Sequence, residues 1–376
     1  MNLTIFDCSL DELRRRTSIK WVRWGPDVIP MFVAEMDTRL PAPVAEALHR
    51  AVHESDTGYP EHPDYQEAFA GFAQWRWGWD ADPSRFVTTG DVMQGMRYAL
   101  EACTAPGDKV VFNPPIYPPF RATIARTGRV GVEVHMRDDR LDLDGIEQAF
   151  ADGARAYLLC SPHNPNGTVH TREELERVAE LANRYDVTVI SDEIHAPFNG
   201  PEFTPYLSLP GVGKAFVSTS AAKGFNLAAL KAGLLGASDA SLDALRGLPA
   251  YVEESTSHFG VIAHAAAFNH AREWIAQAKQ EIDANKALFV DLLKENLPAL
   301  RYAPSQGTYL AWLDCAPLGL DNPGLHFHER ARVRFNFGSE FGPEYGQFVR
   351  VNLATSPDVI REAAHRLGRS LGSAVS

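Results

Sequence analysis

The sequence predicts an α/β protein: a larger domain built on a mostly parallel, mixed sheet flanked by helices, and a smaller α+β domain. Three observations predict it. From about residue 85, short apolar runs alternate with helical stretches, and several runs are continuously apolar, as strands covered on both faces require. Between two of them lies TREELERVAELANRYD, where Thr171 and Glu174 form a capping-box pattern and Leu175, Val178, Ala179 and Ala182 mark one helical face. After about residue 260 the alternation gives way to long helical sequence and then to a few separated strand-like runs.

In chain order, the expected strands are RFVTT (85–89), KVVFN (109–113), VGVEVHM (130–136), AYLLCS (156–161), VTVISD (187–192), KAFVSTS (214–220) and AGLLGAS (232–238). Strand, helix, strand at this spacing implies right-handed crossovers and parallel pairing. HAAAFNHAREWIAQAKQEIDANKALFVDLLKENL reads as one long helix or two, followed by strand-like GTYLAWLD, RVRFNFG and FVRVNLA and a C-terminal helix. The expected division is an N-terminal segment, 1–44, packing with the small domain, a large domain, 45–275, and a small domain, 276–376.

Bulk properties narrow the function. The chain has 376 residues, 45% hydrophobic and 22% charged, with mean hydropathy −0.22, as in an ordinary globular protein. Its net charge of −12 argues against nucleic acid or an anionic membrane as a general partner. Cys8, Cys103, Cys160 and Cys315 are widely spaced, which fits a reduced, cytoplasmic protein. The first residues lack the apolar run of a signal peptide, and no stretch approaches about 18 apolar residues. His326 and His328 form a close pair in HFHER, but nothing nearby completes a metal site, so they read as solvated histidines.

Ligands of open α/β sheets bind beyond the carboxyl ends of the strands. After RFVTT, Gly90 and Asp91 start a helix whose free N–H groups offer a phosphate seat at Gly90–Met93 or a plain helix N-cap. After KVVFN, Tyr117 sits in a proline-stiffened turn, either stacking on a planar ligand or packed at the surface. After AYLLCS, Asn164 stands in PHNPNG as an amide donor or a turn residue. Asp192 ends a buried strand, where a carboxylate needs a cation, a cap or a salt bridge, and His195, three residues on, reads as its support or as a satisfied structural histidine. After KAFVST come Ser220 and Lys223 in STSAAKGFN: a phosphate ligand and a Schiff-base lysine, or a solvated loop, with Lys231 adding charge. Arg350, flanked by apolar residues in FVRVNLATS, suits a carboxylate clamp or a structural ion pair. Together these groups make up what a pyridoxal 5′-phosphate site requires.

NPNG after one strand, SDEIH after the next and SxxKxFN after the third resemble the fold-type I, class I/II aminotransferase family. The segments IPMFVAEMD, DVMQGM, NPPIYPPF, LLCSPHNPNGTV, VISDEIHAPF, STSAAKGFN, QGTYLAWLD and FVRVNLATS resemble, more closely, its MalY/PatB-type cystathionine β-lyases, in family order through about residues 20–360. The resemblance implies that Lys223 carries the cofactor, that Asp192 bonds the pyridine nitrogen with support from His195, and that Asn164 contacts the 3-oxygen. It further implies that Tyr117 stacks on the ring, that Ser220 with the backbone at Val92 and Met93 holds the phosphate, and that Arg350 binds the substrate α-carboxylate. Tyr59, in TGYP, matches a tyrosine that reaches a neighbouring subunit's phosphate, which implies a homodimer with shared active sites. Four positions depart from the family pattern: Glu35 stands for aspartate, Phe32 for tryptophan, Lys231 for arginine and Asn166 for a small hydroxyl residue.

The expected activity is carbon–sulfur β-elimination from a small amino-acid substrate, an L-cysteine S-conjugate such as cystathionine, giving a thiol, pyruvate and ammonia. The alternative is an aminotransferase or decarboxylating enzyme using the same groups on an amino acid or thio-conjugate. A non-catalytic regulatory role on the same fold is disfavoured, because each chemical position is filled.

Overall fold

The computed structural model describes residues 4–60 and 64–372. They divide into two compact units, one comprising Leu40–Asn164 and Thr168–Arg272, the other Met1–Arg39, Pro165–Gly167 and Glu273–Ser376.

The first unit is organised by a seven-stranded sheet: β1 (Phe86–Thr89), β2 (Lys109–Phe112), β3 (Val130–Glu133), β4 (Ala154–Cys160), β5 (Thr188–Asp192), β6 (Ala215–Thr219) and β7 (Gly233–Ala237), in the order β1-β7-β6-β5-β4-β2-β3. All neighbours pair in parallel except across β7, which runs against β6 and β1. The carboxyl ends of the other six strands therefore share one edge.

Alternation along the strands fills both faces. Tyr157 and Leu159 of β4 join Val189 and Val217 in one apolar cluster, while Ala156, Leu158 and Cys160 join Ile190, Phe216 and Leu235 in another. Such two-sided burial is why these strands carry apolar residues on both faces. Helix Arg172–Tyr185 covers the first face with Leu175, Val178, Ala179 and Ala182, all buried. Its capping box is present: the Glu174 N–H donates to Thr171 Oγ1 at 3.2 Å, and the Thr171 N–H donates to Glu174 Oε2 at 2.8 Å. Helix Val92–Cys103 lines the other face through Met96, Ala99 and Leu100.

The second unit holds a three-stranded antiparallel sheet of β8 (Leu310–Asp314), β9 (Asn336–Phe337) and β10 (Phe348–Asn352), in the order β9-β10-β8. Leu293, Leu313, Val349 and Val351 share its core with Val359, Ile360 and Leu367 of the C-terminal helix Pro357–Gly372. The stretch read as one long helix or two is two, His258–His270 and Arg272–Asn296, interrupted at Ala271 (φ −114°, ψ 30°).

The N-terminal residues join this unit through specific bonds. Ile5 and Phe6 N–H donate to the Glu281 carboxylate at 2.9–3.0 Å. Asn352 Nδ2 donates to the carbonyls of Val33 and Glu35 at 2.8 and 2.7 Å. Lys20 Nζ lies 2.8 Å from Asp37 Oδ1, both side chains 1% exposed. The division falls at Arg39/Leu40 and Arg272/Glu273, a few residues before positions 44 and 275. The first shift arises because helix Ala42–His53 packs against His258–His270 in the sheet unit. Residues 165–167, inside the expected large domain, belong to the smaller unit, where the Gly307 N–H donates to the Gly167 carbonyl at 2.8 Å.

Candidate functional site

The candidate residues of the sheet unit gather at the carboxyl edge of its parallel strands. Asp192 is the last residue of β5 and is paired in register with Cys160 of β4 and Ser218 of β6. Asn164 follows β4, Ser220 and Lys223 follow β6, Tyr117 follows β2, and Val92 follows β1. Parallel pairing brings together side chains that lie many residues apart in the chain.

Asp192 is 3% exposed. Its Oδ1 accepts the Ile194 N–H at 3.0 Å. Burial pushes its carboxyl up to about 7, against the opposing pull of the Ile194 N–H and the Lys223 ammonium. A carboxylate in this position is short of positive charge. Lys223 is half-buried in the turn beyond β6, a turn closed by Phe225 N–H to Ala221 O and Leu227 N–H to Ala222 O, both 2.9 Å. Asn226 takes φ +60° there, in the left-handed region that asparagine tolerates.

The helix beginning at Val92 is capped by Asp91, whose Oδ1 accepts the Gln94 N–H at 2.9 Å. Val92 and Met93 keep their N–H groups at the open end of the helix. Gly233 of β7 makes room for this terminus: a Cβ there would come within 2.9 Å of the Asp91 carbonyl carbon and 3.2 Å of Val92 N. Lys231 pairs with Asp91 Oδ2 at 3.0 Å, so its charge first offsets that carboxylate at the helix start.

Ser220 is 1% exposed and engaged within the fold. Its hydroxyl donates to Ala232 O at 2.8 Å and accepts the Ala222 N–H at 3.1 Å. To donate to a ligand it must turn its hydrogen away from Ala232. His264 Nδ1 lies 3.2 Å from Ser220 Oγ and 3.1 Å from the Tyr65 hydroxyl. Burial pulls His264 down to about 4, leaving the ring neutral. Sequence reasoning missed Tyr65 and His264, since nothing local links an alanine-rich helix to a serine 44 residues before it in the chain.

Asn164 is 5% exposed and His195 2% exposed. The His195 carbonyl accepts from Asn199 Nδ2 at 2.9 Å. Tyr117 is partly buried and borders the apolar cluster beneath β2 and β4. Tyr59 is 90% exposed. Glu193, next to Asp192 but not singled out by the sequence, is a structural anchor. Its Oε1 accepts the Tyr206 N–H at 2.8 Å and the Ser191 hydroxyl at 3.2 Å, and burial pushes its carboxyl up to about 8.

Arg350 lies in the other unit, on β10, 4% exposed and opposite Trp312 of β8 and Asn336 of β9. Its Nη2 donates to Asn336 Oδ1 at 2.7 Å, and the guanidinium sits 5.0 Å from the Phe341 ring centre. In the same unit the Glu35 carboxylate accepts the Ser18 hydroxyl at 2.7 Å.

Comparison with known proteins gives a consistent result. The family described as aminotransferase class I and II matches residues 26–367. A Mycobacterium leprae protein bearing the provisional name cystathionine β-lyase is 45% identical, covering 96% of this chain and 97% of its own. A cystathionine β-lyase of Corynebacterium glutamicum is 33% identical over 96% of this chain and 99% of its own. A solved structure from Corynebacterium diphtheriae, provisionally described as a PLP-dependent β-cystathionase, superposes with TM-score 0.94 at 31% identity, covering 98% of this chain and 99% of that one.

Proposed function

The chain belongs to the aminotransferase class I and II family, and on that footing we propose that it is a pyridoxal 5′-phosphate-dependent carbon–sulfur β-lyase. Its substrate is an L-cysteine S-conjugate of the cystathionine type, converted to a thiol, pyruvate and ammonia. The observation that carries this reading is the placement of Asp192 at the end of β5 and of Lys223 in the turn beyond the neighbouring β6: a buried carboxylate, its proton held by burial, within the electrostatic reach of a half-buried amine. Asp192 would hold a protonated pyridine ring, which would supply the missing cation, and Lys223 would hold the cofactor through its amine. The names of the C. glutamicum and C. diphtheriae relatives support elimination at a C–S bond.

Pyridoxal phosphate, when bound, supplies an electron sink for negative charge at the substrate's Cα. The protein's own groups do the rest. Lys223 Nζ would hold the cofactor, and its amine, when free, would take the Cα proton as general base. Asp192 keeps a proton on the pyridine nitrogen, with His195 in support. Asn164 donates to the ring's 3-oxygen, and Tyr117 covers a ring face. Ser220 and the N–H groups of Val92 and Met93 hold the phosphate. Arg350 clamps the substrate carboxylate with two parallel N–H donors.

The active unit is a homodimer in which the exposed Tyr59 reaches the neighbouring subunit's phosphate. The four free cysteines fit a reducing, cytoplasmic setting. Among the described residues, no helix is long and apolar enough to cross a membrane.

The test is spectroscopic, then chemical. The purified protein should show a band near about 420 nm that is absent in Lys223→Ala. With L-cystathionine and no keto-acid acceptor, pyruvate and free thiol should appear. No band after reconstitution would defeat the cofactor assignment. A band without pyruvate, with amino-group transfer to an added keto acid or release of carbon dioxide, would favour the transaminating or decarboxylating alternative.

A further inference from the structure

Two turns carry the ring-facing groups of the proposed site: NPPIYPPF, with Tyr117, and SPHNPNG, with Asn164. They leave the carboxyl ends of β2 and β4, which are neighbours in the sheet. The proline turn has few N–H groups of its own, because proline has none. It is held instead largely through its carbonyls and its first side chain. Met136 N–H donates to Pro114 O at 3.0 Å. Asn113 Nδ2 donates to Val134 O at 2.9 Å, and Asn113 Oδ1 accepts the Tyr157 hydroxyl at 2.6 Å.

The Pro115 carbonyl is reached from the other turn, by His163 Nε2 at 2.7 Å. A carbonyl can only accept, so Nε2 carries the hydrogen. The ring is 1% exposed and its Nδ1 has no hydrogen-bond partner. Burial holds the group down to about 4, so it is neutral and Nδ1 is bare. His163's own N–H closes the Asn164 turn by donating to Thr168 O at 2.8 Å. A second buried histidine, His170, directs Nε2 to Cys160 O at 3.0 Å, fixing the point where β4 ends.

We propose that His163 is a positioning residue whose Nε2–H bond to Pro115 O locks the Tyr117 turn to the Asn164 turn, setting the stacking ring and the amide donor relative to each other. This rests on the cofactor reading above only for what the two groups face. The link between the turns exists in the protein without cofactor.

The geometry makes the test selective. Glutamine at 163 can place its amide N–H where Nε2 stands. Asparagine reaches only the position of Nδ1, which bonds to nothing. In the apoprotein, His163→Asn should raise amide exchange across residues 113–118 and 161–168 by about tenfold, the effect of losing one hydrogen bond, while His163→Gln should stay near wild type. With pyridoxal phosphate, His163→Asn should weaken cofactor binding by about tenfold and diminish the circular dichroism of the cofactor band, and glutamine should restore both. A merely structural histidine would lower thermal stability alike in both variants without separating them in these readouts. His163→Asn matching wild type, or the two variants behaving alike, would overturn the proposal. If wild type takes up no pyridoxal phosphate, the cofactor reading fails, and the exchange comparison still decides the link between the turns.

Discussion

Replacing Asp192 with asparagine removes the charge and leaves the shape, and the amide oxygen can still accept the Ile194 N–H that now donates at 3.0 Å. In the folded protein without cofactor, burial holds the proton on Asp192 up to about pH 7. In the unfolded chain it leaves near about 3.9. Between these values the folded state binds the extra proton, so stability falls as pH rises. Below about pH 4 the carboxyl is neutral in both states and the penalty is absent; above about pH 7 it is complete. The interval of about three pH units, at about 1.4 kcal/mol each, amounts to roughly 4 kcal/mol. Apoprotein Asp192→Asn should therefore be more stable than wild type by up to about 4 kcal/mol at pH 8, and by only about 1–2 kcal/mol at pH 5. Urea unfolding of both apoproteins at the two pH values measures this directly. Glu193, also raised by burial, contributes to both proteins and largely cancels in the difference. A gap between variant and wild type that does not widen with pH would refute the claim that Asp192 is a carboxylate awaiting a cation. Adding cofactor should invert the order, because asparagine cannot keep the ring nitrogen protonated.

Two further outcomes test other parts of the structure. Lys20→Met leaves Asp37, 1% exposed, without its 2.8 Å ammonium partner; it should cost about 3–5 kcal/mol in chemical denaturation, and Lys20→Met with Asp37→Leu should recover most of that loss. Arg350→Lys should lower kcat/KM for the amino acid by about ten- to a hundredfold, chiefly through KM, since an ammonium cannot reproduce the two-pronged clamp; an unchanged KM would remove Arg350 from the substrate site.

Most of the sheet was legible because its signal is local. A strand covered on both faces is buried along its length, as β5 and β6 are at every position and β4 is at all but Arg155, and the apolar residues on both of their faces mark this locally. The helix after Asn164 carried its own start signal in Thr171 and Glu174. Asp192, Ser220 and Lys223 stand out in the sequence for a related reason: each is a polar group at or just beyond the end of a buried strand, where such a group needs a partner. Lys231 was only half legible. Its pairing with Asp91, 140 residues away in the chain, depends on β7 running antiparallel beside β1.

Contiguous sequence carries the inventory and its order: which strands, which helix starts, and which side chains emerge at strand ends. Periodicity, capping and turn chemistry act over a few residues, so they are written in contiguous sequence. Tertiary structure alone decided which distant groups meet. It set His264 and Tyr65 beside Ser220, His163 against the Pro115 carbonyl, and residues 165–167 with the smaller unit. It also decided that Asp192 is starved of positive charge, because burial and the spacing of neighbouring charges, not residue type, determine what a carboxylate costs.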